Sequence, residues 1–316
     1  MMNRFASLSR LARLFTLALA GLGLSVAQAQ VADAPKPVPA PIPVATPVDV
    51  DPALWVVKDK DTTIYLFGSV HVLKPGLGWF DDGVKAAFDK SDQLVLEVVL
   101  PDAASVQAAV FKAAIAKDGK PLTSKLNPDE LKAYEGAMAA YGIPTAALDS
   151  FDPWFVSLTL TQLALKKAGY DGETGVEKTL TAAAKDAGKP ILGLETVDEQ
   201  FGFFGQLSAE SQIKLFDSTL KELPDTADKI QTMIDQWGAG EPDKLAATIN
   251  EGTADTPELT KILLTDRNAH WAKWIAERMK QPGTVFIAVG AGHLAGDNSV
   301  QQQLRAYHLK AKRVAY

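Results

Sequence analysis

The stretch TIYLFGSVH, Thr63 to His71, closes a run of strand-forming residues with a glycine and, three positions on, a histidine. Roughly 220 residues later TVFIAVGAGH, Thr284 to His293, repeats the pattern in a chain that has only 4 histidines. No other feature constrains the fold as strongly. If the two strands are neighbours and parallel, their backbones run about 4.8 Å apart and both histidines converge at one rim of a sheet. The two ends of the chain must then meet in one core.

The remaining patterns agree. Leu54–Val57 and Thr63–Phe67 flank the polar turn Lys58–Asp61 and predict a β-hairpin. QLVLEVVL reads as a nearly continuous apolar strand carrying one charge, Glu97, and Pro190–Leu194 as a short strand ending at Glu195. Between Pro101 and Lys280 the other segments are helical, with breaks at glycine and proline. NPDELKAYEGAMAAYG shows this most plainly, with an Asn cap, Pro at the first helical position and a closing Gly. TDRNAHWAKWIAERMKQPG is a helix delivering the chain to the strand TVFIAV, and the C-terminus ends in a helix and an edge strand. The expected class is α/β with α+β character: a mixed central sheet formed from both ends of the domain, with a large helical insert. No tandem repeat is present.

The N-terminus stands apart. Arg4, Arg10 and Arg13 precede the apolar run LFTLALAGLGLSV and the small-x-small site Ala27-Gln28-Ala29. This layout predicts a secretory signal peptide over residues 1–29, the alternative being an uncleaved anchor helix. Residues 30–50 are rich in proline and alanine and predict an extended linker, leaving residues 51–316 as one domain. No further apolar run is long enough to cross a bilayer, so no integral membrane segment is expected after cleavage. The formal charge is −6, and losing the three signal arginines leaves about −9. An acidic chain with no basic stripe argues against nucleic acid as partner. With 0 Cys, an exported chain needs no oxidative folding, which suits a bacterial periplasm, and any metal must be held by histidine and carboxylate.

Ligands of open α/β sheets bind beyond the carboxyl ends of strands, where Gly68 and Gly290 stand. Two imidazoles at one point repel if both are charged, so a divalent metal or a shared anion is expected between them. His71, His293, Glu97 and Glu195 form the candidate ligand set, suited to Mn, Co, Zn or Fe. Glu97 would be ligand or general base, and burying it unpaired would cost several kcal/mol, on the order of 2–7. Its structural alternative is one arm of a buried ion pair. Glu195 alternatively belongs to the start of the next helix. Arg267, in RNAHW with Asn268, would clamp an anionic substrate group or stabilise an oxyanion. His270 reads as a surface or packing residue, and His308 has no partner in the sequence. Gly-x-Ser-x-Gly, Walker A and His-Glu-x-x-His motifs are absent.

These blocks together resemble the TraB/GumN family, which includes the Tiki proteins. The resemblance runs from LWVVKDKDTTIYLFGSVHVLKPG and LVLEV through GVEKTL and GKPILGLET, then RNAHW, to VFIAVGAGHLAG. It implies a mixed α/β fold with paired Gly-x-x-His motifs in one metal-dependent site, and Tiki relatives are described as metal-dependent proteases. By residue matching, His71, Glu97 and His293 fall on the family's site, with Glu195 and Arg267 on recurrent polar positions. Glu177 stands where relatives often carry Asp, and DNSV and YHL depart from the usual pattern near the end. The expected function is a periplasmic metal-dependent hydrolase acting on a peptide or protein. The alternative is a non-catalytic metal- or haem-binding or interaction protein of the cell envelope.

Overall fold

A computed structural model describes residues 47–253 and 256–316. The predicted signal peptide and most of the predicted linker lie outside the described residues. The last linker positions do not: β1 (Val48–Asp49) pairs in parallel with β4 (Leu77–Gly78), so ordered structure begins before residue 51.

The main sheet contains β2 (Leu54–Lys58), β3 (Thr62–Ser69), β5 (Gln93–Val98), β6 (Ile191–Glu195), β7 (Gly283–Gly290) and β8 (Lys312–Arg313). Their order is β6-β5-β7-β3-β2-β8. β3, β7, β5 and β6 run parallel, while β2 is antiparallel to both β3 and β8. After β3 the chain passes through helix α1 (Asp82–Lys90) to β5 and leaves a one-strand gap. β7, from the far end of the sequence, fills that gap. The sheet is therefore mixed and built from both ends, as the sequence predicts.

Helices α2 (Ala103–Ala114), α3 (Pro128–Ala140), α4 (Pro153–Lys167), α5 (Val176–Asp186), α6 (Val197–Phe204), α7 (Ala209–Glu222), α8 (Thr226–Gly238) and α9 (Pro242–Thr253) follow in the middle of the chain. α10 (Pro257–Thr260) and a π-helical turn (Lys261–Thr265) lead into α11 (Asp266–Arg278). The capping box predicted for α3 forms, with Asn127 accepting from the Glu130 backbone and Glu130 from Asn127.

Both faces of the sheet are covered, which explains why the parallel strands read as continuous apolar runs. Phe67, Leu94, Leu96, Phe286 and Ala288 point to the helical insert and pack with residues such as Trp154 and Phe204. Ile64, Leu66, Val95, Val285 and Ile287 point to the other face, against Trp271, Ala272 and Ile275 of α11. The period-2 alternation of strands produces this division.

The register of β3 on β7 staggers the repeated motif by one residue. Ser69 lies opposite Gly290, and Gly68 opposite Val289. Gly68 is needed because the turn after β7 crosses over it: a Cβ there would stand 3.0 Å from both Cα and Cβ of Ala291. Its carbonyl accepts a hydrogen bond from the buried Trp237 indole at 2.7 Å, tying α8 to the rim. Gly68→Ala is therefore expected to destabilise the protein by about 1–3 kcal/mol through overpacking. A urea midpoint equal to that of the wild type would contradict this close approach.

Candidate functional site

Beyond the carboxyl ends of β5, β7 and β6, on the α11 face, lies a buried polar cluster. It forms because the apolar stripe of α11 begins with polar residues. Arg267, Asn268, Trp271, Ala272 and Ile275 are all buried on one side of that helix. On β5, Glu97 shares the face of Val95, so alternation points it towards α11.

Arg267 is the centre. Its Nε and one Nη bind the two oxygens of Glu195, each at 2.8 Å. The same Nη also donates to Glu97 Oε2 at 2.7 Å. The other Nη donates to the Leu263 carbonyl in the π-helical turn at 3.2 Å and faces His293 Nε2 at 3.1 Å. All five guanidinium protons thus have partners, and none is left for a substrate anion. The guanidinium also lies over the rings of Trp271 and Phe203. The role expected for Arg267, clamping a substrate or an oxyanion, gives way to a positioning role.

Glu97 receives three further constraints. Its Oε1 accepts from the Gly290 backbone at 2.6 Å, its Oε2 accepts from Gln200 at 3.2 Å, and His293 Nε2 stands 3.7 Å from Oε1. Burial opposes ionisation, but Arg267 and its neighbours outweigh it and hold the carboxyl at about 2. Such a carboxylate is a poor proton acceptor near neutral pH, so the geometry fits Glu97 as a ligand or counter-charge better than as a base. Burial pushes Glu195 up despite Arg267. Opposite shifts are what two carboxylates sharing one cation show.

His293 is only 3 % exposed. Its Nδ1 lies 2.6 Å from Asn268 Oδ1, an oxygen that can only accept, so Nδ1 carries the proton and Nε2 presents a lone pair. Burial, then the Arg267 charge, drive its pKa down to about 3. It is a neutral imidazole at physiological pH.

His71 keeps 11 % of its side chain exposed, more than Arg267, Glu97, Glu195 or His293. Its Nδ1 pairs with Glu177 Oε1 at 2.6 Å, and its Nε2 is buried with no hydrogen-bond partner among the described residues. Burial lowers its proton affinity, but the charge and hydrogen bond of Glu177 overcome this and leave the pKa raised. Its charge bears on both Glu97 and His293, which places it beside the cluster. The loop bearing His71 is held against the start of α5: Val176 N donates to the Val70 carbonyl at 3.0 Å, and a Cβ on Gly175 would overlap the His71 carbonyl. Only glycine lets α5 begin there, one residue before Glu177.

The sequence-predicted residues His71, Glu97, Glu195, Arg267 and His293 are brought to one region. Among the described residues, however, no three His, Asp or Glu side chains stand ready as metal ligands. Both oxygens of Glu195 are engaged by Arg267, so it is placed as the arginine's counter-ion. What fits a metal is the histidine chemistry. In His71 the Glu177 partner at Nδ1 leaves Nε2 without a partner, the usual arrangement around a ligating histidine, whereas in His293 Asn268 fixes the tautomer but the Nε2 lone pair faces Arg267. Sequence reasoning gave no role to Gln200 or Asn268 and treated Glu177 only as a departure. Their common signal is adjacency to a predicted block. His270 is exposed, and His308 occupies a left-handed turn with φ of 56°.

The description "TraB/PrgY/gumN family" belongs to the sequence profile that matches residues 53–313. The uncharacterised YbaP protein of Escherichia coli is 24 % identical over 254 residues, covering 80 % of this chain and 92 % of that protein. An uncharacterised protein of Treponema pallidum is 21 % identical over 272 residues, covering 81 % and 80 %. No solved structure matches.

Two outcomes follow from the cluster's electrostatics. Arg267→Met would leave two carboxylates facing each other without a cation, and is expected to cost about 3–5 kcal/mol. Glu97 has a folded pKa near 2 against 4.5 unfolded, so its contribution is complete above about pH 4.5 and is lost as pH falls toward 2. The size is about 3 kcal/mol. His293 adds a slope of the same sign that starts near pH 6.5. The raised His71 and Glu195 act oppositely, losing their contribution as pH rises through their folded values. Urea titrations from pH 7 to 3 on wild type and Glu97→Gln should therefore keep a constant offset above pH 4.5 and converge as pH falls below it. Curves that stay parallel below pH 4.5 would contradict the assignment.

Proposed function

The chain belongs to the TraB/PrgY/gumN family, and on that premise we propose that it is a metal-dependent hydrolase, most simply a peptidase of the bacterial periplasm. One observation carries the reading: His71 Nε2 is buried without a partner while Glu177 holds Nδ1. An unpaired polar atom in such a place is costly and calls for an occupant. His71 and His293, with Glu97, would hold a divalent ion of manganese, cobalt, zinc or iron. When bound, such an ion polarises a carbonyl and lowers the pKa of water.

The chain's own groups each have a part. Glu177 and Asn268 hold the two imidazoles by Nδ1, so Nε2 of each is the atom that would meet the ion, that of His293 in exchange for its contact with Arg267. Arg267 locks Glu97 in its ionised form and in one orientation, and Glu195 balances the guanidinium charge. Of the set, Glu177 is the carboxylate most open to solvent, at 23 % of its side chain. A peptide or protein is the expected substrate, and neither nucleic acid nor an integral membrane segment after cleavage enters this reading. Export rests on the sequence of residues 1–29. Deleting them should keep the protein in the cytoplasm on cell fractionation, whereas the full chain reaches the periplasm.

The depth of the cluster favours a second reading. Arg267, Glu97 and His293 are each under 6 % exposed, which would equally suit a stoichiometric metal- or haem-binding or interaction protein. Elemental analysis of protein purified without chelator, paired with an assay on an unfolded polypeptide, separates the two. A hydrolase should lose metal and turnover together in His71→Ala, by at least 100-fold in rate. Metal retained with no turnover in the wild type points to the binder. Undiminished turnover in a His71→Ala, His293→Ala double variant would refute the metal centre.

A further inference from the structure

We propose that the free edge of β6 is a docking strand that holds an extended peptide by strand addition; this deepens the hydrolase reading and rests on it. The main sheet has two edges, and they differ. β8 is two residues long, and both, Lys312 and Arg313, are exposed and charged. Short charged edges discourage pairing with other chains. β6 is five residues long, reads Ile-Leu-Gly-Leu-Glu and carries no charge until Glu195, which turns into the buried cluster.

The hydrogen bonding of β6 leaves that edge unused. Among the described residues β5 is its sole strand partner. Leu94 N donates to the Pro190 carbonyl at 2.9 Å. In a parallel ladder alternate residues face the same neighbour, so Pro190 and Leu192 face β5 while the N–H and C=O of Ile191 and Gly193 face away. Among the described residues no backbone partner takes those outward groups. Gly193 is exposed and backs onto the turn after β5, where a Cβ would stand 3.2 Å from Val99 N. With no side chain it leaves the edge open to close approach of another backbone. Leu192 at 43 %, Val99 at 44 % and Leu100 at 38 % are three of the few large exposed apolar side chains of the described residues; Leu192 precedes Gly193 on β6, and Val99 and Leu100 follow β5 where it passes Gly193.

A row of outward N–H and C=O groups at strand spacing is complementary to one thing, another extended backbone. Exposed apolar side chains beside it suit alternate side chains of the added strand. The occupant is a substrate flank and not a second copy of the chain. A stable dimer buries about 1,000 Å² or more in total, beyond one five-residue edge with three exposed apolar neighbours, whereas a transiently held substrate needs only weak contact. The position also fits. A strand added to β6 lies about 10 Å from β5, the strand bearing Glu97, and about 19 Å from β3, which precedes His71, and three to six further residues at about 3.3 Å each span those distances.

The test uses the His71→Ala protein, so that binding is read apart from turnover. The immobilised protein is incubated with a degenerate octapeptide pool, and retained peptides are quantified by mass spectrometry. The expected result is retention that falls at least ten-fold when Leu192→Lys is added, and equally when alternate amides of the pool are N-methylated. Hydrogen exchange at Ile191 and Gly193 should slow with the peptides present. Leu192 is exposed, so an unchanged urea midpoint establishes that its variant is folded. Three results would overturn the docking strand: no retention, retention indifferent to N-methylation, or protection of the edge only through a concentration-dependent dimer. Retention by a wild-type protein that hydrolyses nothing would sink the catalytic reading and leave the docking strand standing.

Discussion

The site depends on one guanidinium shared by two buried carboxylates. Removing three ionised groups from water is unfavourable by several kcal/mol each unless every hydrogen-bonding position is satisfied. Arg267 meets that condition, because its five protons find Glu97, Glu195, the Leu263 carbonyl and His293. The arrangement also fixes what each partner can do. Glu97 is held ionised, His293 is held neutral, and Glu195 is pushed toward its protonated form. Arg267 acts through its neighbours, and a lysine, with one point charge in place of a fork, could not reproduce it.

That arrangement requires the sheet's interleaved topology. Glu97 is on β5, Glu195 on β6 and His293 just after β7, and these three strands are adjacent only because the chain's last parallel strand inserts between its first two. The Gly290 backbone reaches Glu97 across that insertion. Local helix formation cannot assemble the site, since every link in it joins residues at least 25 positions apart apart from the Arg267–Leu263 bond. α11 serves as the clamp that closes over the strand ends, with its apolar stripe on the sheet and its first polar turn at the rim.

The cluster grades from closed to open. Arg267, Glu97, Glu195 and His293 are nearly sealed, whereas His71 and Glu177 keep 11 % and 23 % of their side chains exposed. The second Gly-x-x-His motif thus delivers its histidine into the sealed part of the cluster, and the first delivers its histidine to the less sealed part beside Glu177. One-residue stagger between β3 and β7 is part of the reason, because it sets the two histidines at different distances beyond their strands.

Much of this was legible in the residues alone. Period-2 apolar runs and glycine stops marked the strands, the Asn-Pro and terminal glycine marked α3, and the repeated Gly-x-x-His pinned both ends of the chain to one sheet. A charge inside an apolar strand marked Glu97, because an ion there must have a partner. The sequence could not say which partner. Arg267 taking both carboxylates, Glu177 holding His71 and Asn268 setting the tautomer of His293 were decided by tertiary structure. Those pairings depend on strand order, register and the angle of α11. Periodicity along a chain reports which face a residue takes, and not what faces it.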